Sequence, residues 1–81
     1  MPATPLTEDD LKAIGRLDDK LRRGAEAVER AWSHASNAAM AGVDPDGPAM
    51  RAHLDAHDKA FREYMAAYHE NAEWWVERAK R

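Results

Sequence analysis

Leu54, Phe61, Tyr68 and Trp75 recur at intervals of seven residues, and a helix is the element that returns side chains to one face at that spacing. The stretch carrying them, from Pro48 onward, contains no further proline or glycine. It is expected to form one long helix. Met50, His57, Tyr64, Asn71 and Arg78 complete its stripe, and Met65, Ala72, Trp74 and Ala79 widen it.

The first half of the chain reads as the partner of that stripe. Ile14, Leu21, Val28 and Ala35 form one row at intervals of seven, and Leu17, Gly24, Ala31 and Ala38 form a second. This is the a/d pattern of a coiled coil over four repeats, with one row shrinking to Gly and Ala so that a neighbouring helix can come close. Thr7 is placed to cap the start, followed by Glu8, Asp9 and Asp10, whose charge suits the free amides of a first turn. Leu6 and Leu11 have the spacing of a hydrophobic staple across that cap. Gly24 weakens the helix by about 1 kcal/mol relative to Ala, yet no capping residue restarts a helix after it, so continuity is expected.

Gly42 suits a left-handed C-cap, and Val43-Asp44-Pro45-Asp46-Gly47-Pro48 is turn chemistry, with Pro48 at a first helical position and Asp46 or Gly47 as its cap. The expected order is an arm over 1–6, then a hairpin domain over 7–81. Within that domain helix 1 spans about 7–41, the turn 42–47 and helix 2 about 48–80. Helices of about 33 residues are about 50 Å long, and so short a connection makes them antiparallel. The fold class is all-α, an antiparallel two-helix hairpin. One hairpin has no third layer to cover Trp32 and the aromatic row. Two hairpins packed face to face would bury them in a four-helix bundle, so a homodimer is expected, with a partner of different sequence as the other occupant.

Composition narrows the function. The 81 residues make one small domain, and the absence of cysteine removes disulfides, thiol nucleophiles and Cys-based zinc sites. The opening residues lack a signal-peptide pattern and no apolar run is long enough to span a bilayer, so a cytoplasmic chain with no membrane partner is expected. Fifteen acids against twelve bases give a formal net charge of -3, the wrong sign for nucleic acid. Arg16, Lys20, Arg22, Arg23 and Arg30 are interleaved with Asp18, Asp19, Glu26 and Glu29, the pattern of a salt-bridged face.

Three groups of residues are candidate sites. Trp32, Phe61, Tyr64, Met65, Tyr68, Trp74 and Trp75 are the expected interface, since Trp and Tyr are the usual anchors of protein contacts. His53 and His57, four apart, share a helix face, and the hairpin register brings His34 nearly opposite with Asp58 close by. Such a cluster would take zinc or nickel, although no Glu-x-x-His or His-Glu-x-x-His motif accompanies it. Asn71 and His57 occupy core positions, where a polar side chain fixes register and oligomeric state, Asn71 in the region of Asp18 and Leu21 or against its own copy across a dimer axis. Asp44-Pro45-Asp46-Gly47 lacks the further ligands of a calcium loop. Ser33 and Ser36 flank His34 without forming a nucleophile and base pair. No catalytic site and no resident cofactor are expected.

The outline resembles a family of small secreted helical-hairpin dimers recognised by Trp-x-Gly in the turn. Here Trp32 precedes Ser33 and His34 inside helix 1, the turn carries no Trp, and neither Tyr64 nor Tyr68 is followed four residues on by an acid, so membership is not assigned. The sequence reading is a non-catalytic interaction or adaptor protein acting through self-association and an aromatic helix face. The alternative is a metal-binding bundle, with a nucleic-acid-binding regulator behind it.

Overall fold

The computed structural model describes residues 5–80, which form two helices, α1 (Glu8–Met40) and α2 (Pro48–Ala79). Residues 1–4 of the expected arm, and Arg81, lie outside the described residues. Thr7 caps α1 through a reciprocal box, its hydroxyl accepting from the Asp10 amide at 3.1 Å while its own amide donates to the Asp10 carboxylate at 3.0 Å. Leu6 and Leu11 both remain about half exposed.

α1 ends in a Schellman arrangement. The Val43 amide bonds the Ala38 carbonyl and the Gly42 amide the Ala39 carbonyl, which requires Gly42 to take a φ of +87°. Glycine is the residue that reaches this angle without strain. Gly47 caps α2 without any side-chain hydrogen bond, and Pro48 follows it at the first turn. The result is a rod measuring 59 × 17 × 17 Å.

Which faces meet is set by how closely the helices approach. On α1, Leu17 and Ala35 are buried, with Ile14, Leu21, Gly24, Val28, Ala31 and Ala38 half-buried, as the two rows at intervals of seven predict. α1 passes through Gly24 unbroken. At that level a Cβ on Gly24 would lie 3.2 Å from the Tyr64 Cα and 3.2 Å from its ring. Gly24 is therefore a point of close approach between the helices, inside an unbroken α1.

On α2 the inward rows are Met50, His57, Tyr64, Asn71 and Arg78, and beside them His53, Ala60, Ala67 and Trp74. This corrects the expected stripe. Leu54, Phe61, Tyr68 and Trp75 are turned to one flank and stay 43 to 51% exposed. The close approach of Tyr64 at Gly24 is accompanied on α2 by the small inward residues Ala60 and Ala67.

Candidate protein-binding flank

The two flanks of the hairpin differ in chemistry. On one, Lys20 and Arg16 of α1 reach across to Glu70 of α2, at 2.6 and 3.5 Å. The Glu70 carboxyl is held below its usual range by the Lys20 hydrogen bond first, then by the Lys20 charge and by Arg16. Arg23 and Glu63 rim the same shallow groove, floored by Gly24, Ala27, Ala66 and Ala67. Arg22 and Arg23 share Asp19 on α1 itself. Most of the basic group is thus engaged by carboxylates.

The other flank carries the bulk. Trp32 of α1, 57% exposed, sets its indole edge against the His57 ring at 5.6 Å, and His57 stacks on Phe61 at 6.4 Å. Further along, Asn71 donates to Asp18 at 3.4 Å, in the register expected for it. Tyr68 and Trp75 follow, with Trp75 edge-on to Trp74 at 5.0 Å. The expected interface residues divide by face. Trp32, Phe61, Tyr68 and Trp75 share the flank with Leu54, Met65 is half-buried at its edge, and Tyr64 and Trp74 are half-buried between the helices.

The ends are closed by a polar lock. The Arg78 Nε donates to Asp10 at 3.0 Å, both side chains are only 11% exposed, and the same guanidinium donates to the Pro5 carbonyl at 3.0 Å. The Asp10 carboxyl lies below its usual range, chiefly through the Thr7 amide and additionally through Arg78. Sequence reasoning placed Asp10 in the acidic first turn of α1 but missed it as an inward residue paired with Arg78. Its place seven residues before Leu17 is the signal that would have found it.

The histidine cluster does not assemble. His57 is held between Trp32 and Phe61, His53 is half-buried, and His34 lies on the outer side of α1 with Glu26, Arg30 and Asn37. Inward Ala31 and Ala35 turn His34 away, so Trp32 takes the position opposite His57. Among the described residues no group of three or more His, Cys, Asp or Glu is placed to hold a metal ion.

No family model, curated protein or solved structure matches the chain. Among the described residues no helix is long and apolar enough to cross a membrane.

The elongated shape also shows in the surface area. The chain exposes 6346 Å², whereas a compact monomer of 9.1 kDa exposes about 4,900 Å². Its radius of gyration is 18.1 Å against about 12 Å for a compact chain of this length. The excess surface exceeds the roughly 800 Å² that each partner gives up in a standard protein interface.

Proposed function

We propose that this protein is a small non-catalytic helical interaction protein that acts by association through its aromatic flank, first with a second copy of itself. The observation carrying this reading is the asymmetry of the flanks: ion pairs close one, while Trp32, Leu54, Phe61, Tyr68 and Trp75 stand half-exposed along the other. Contiguous apolar surface of this kind on a small chain marks an interaction face, and pairing two such faces makes a four-helix bundle. Interaction through the flank needs neither a catalytic group nor a cofactor.

Sedimentation equilibrium across a concentration series tests it. The expected mass is twice 9.1 kDa, falling to the protomer mass in Phe61→Asp with helical circular dichroism retained. A wild-type chain that stays monomeric at millimolar concentration refutes self-association.

A further inference from the structure

If two copies associate through the aromatic flank, the residues on that flank also determine how the second copy lies. Two twofold arrangements keep every helix next to an antiparallel neighbour. In the first, both turns share an end and α1 packs on the second copy's α2. In the second, the turns lie at opposite ends, so that α1 packs on α1 and α2 on α2.

Contacts within the hairpin set a common level for the two helices. Asn71 is level with Asp18, Tyr64 with Gly24 and His57 with Trp32. The α1 row on the aromatic flank is Leu11, Asp18, Ala25, Trp32 and Ala39, centred on Ala25. The α2 row is Leu54, Phe61, Tyr68 and Trp75, centred between Tyr64 and Met65. Because Gly24 lies against Tyr64, both centres fall at one level, and a single axis serves both rows.

Side-chain chemistry distinguishes the arrangements. With the turns at opposite ends, Leu54 meets the second copy's Trp75 and Phe61 meets its Tyr68. Asp18, the exposed carboxylate of the α1 row, comes level with the second copy's Trp32, whose indole N–H is a donor only. Along the outer rim Arg22 comes level with the second copy's Glu29, and Glu29 with its Arg22. With the turns together, Glu29 would instead come level with the second copy's Ala60, between Asp58 and Arg62, which are ion-paired with each other at 2.9 Å. Glu29 gains no cation of its own there, so the reciprocal Arg22 and Glu29 pairs form only with the turns at opposite ends, and charge complementarity of this kind fixes register.

We propose that the second copy binds with its turn at the opposite end of the bundle, about a twofold axis passing between Ala25 and the Tyr64 to Met65 step. This rests on the self-association reading, and one experiment separates the two. The chain has no cysteine, so Asp46→Cys, in the exposed turn, carries a single nitroxide per copy for pulsed dipolar spectroscopy. The expected result is one interchain distance close to the full 59 Å length of the rod. A distance of roughly 20 to 25 Å, set by helices packed about 10 Å apart with label arms, would show the turns together and overturn the orientation while leaving the dimer intact. Absence of interchain coupling, with a monomer mass in sedimentation, would remove the self-association reading and this inference together.

A second measurement reads the seam without a label. Glu29→Arg is expected to weaken the dimer several-fold, the scale of a rim ion pair, and Arg22→Glu with Glu29→Arg to restore it. Unchanged or tighter association of Glu29→Arg alone would show that Glu29 faces no cation across the seam and refute the arrangement.

Discussion

Gly24 and Gly15 provide an internal comparison, because both are helical glycines of α1 with different surroundings. Ala in place of Gly in a helix interior stabilises by about 0.8 to 1 kcal/mol through the backbone alone. A Cβ at Gly15 meets nothing within 4 Å, so Gly15→Ala should realise that full gain. A Cβ at Gly24 would stand 3.2 Å from the Tyr64 Cα, a backbone atom of the opposite helix, and 3.4 Å from its Cβ. Neither atom can swing aside as a side-chain tip would, so α2 must retreat by a few tenths of an ångström along a stretch where Leu17 and Ala67 are buried. Overpacking of this kind costs about 1 to 3 kcal/mol, which cancels or exceeds the helical gain. Gly24→Ala should therefore be less stable than Gly15→Ala by about 1 to 3 kcal/mol. Urea titrations at one protomer concentration, with equal m-values, measure the difference. Equal stabilisation by the two substitutions would show that the helices do not approach closely at Gly24.

Leu17→Ala should cost about 2 to 5 kcal/mol as a buried truncation, at every protein concentration, whereas Phe61→Ala should lower stability in a concentration-dependent way because its ring is half-exposed in one hairpin; denaturant midpoints at two concentrations check both. Thr7→Ala removes the acceptor for the Asp10 amide and should cost about 1 kcal/mol, read from the same titration. Asp10 and Glu70 both hold their carboxyls below the ordinary values of 3.8 and 4.5 in the fold, so the unfolded chain binds protons more readily than the folded one. Their stabilisation is full above those values and is lost as pH falls below them. The stability gap between wild type and Asp10→Asn should accordingly shrink on acidification from pH 6 to pH 2, and a gap that stays constant would mean that the Asp10 contacts are not selective for its charged form.

Much of the fold was legible because its signals are local. The Thr7 cap, Gly42 at a position needing positive φ, and the Pro-rich turn each have a short-range cause, and α1 and α2 end within a residue or two of where those residues place them. The α1 core rows were legible for a related reason, since in α1 the small and branched residues fall on the two rows that face inward. The three histidines are kept apart by facing and not by level: inward Ala31 and Ala35 put His34 on the outer side of α1 while Trp32 meets His57, and spacing along α2 alone cannot resolve which face of α1 lies opposite.

The α2 face was misread because size and burial point in opposite directions there. Three rows at intervals of seven lie side by side on α2, led by Met50, His53 and Leu54 respectively, and any adjacent pair makes a heptad seam. Choosing the row with the largest side chains assumes that the hairpin's own core is where bulk is buried. Gly24 on α1 admits Tyr64 closely, and Ala60 and Ala67 face inward on α2, so these rows go inward even though they carry His57, Asn71 and Arg78. Those polar groups are answered from α1 by Trp32, Asp18 and Asp10 respectively, so they add register to the pairing without being left unsatisfied. The bulky row is thereby released to the flank, where it stays half-exposed in the single hairpin, and under the proposed self-association the residues that made α2 look like the core of one hairpin would form the core between two.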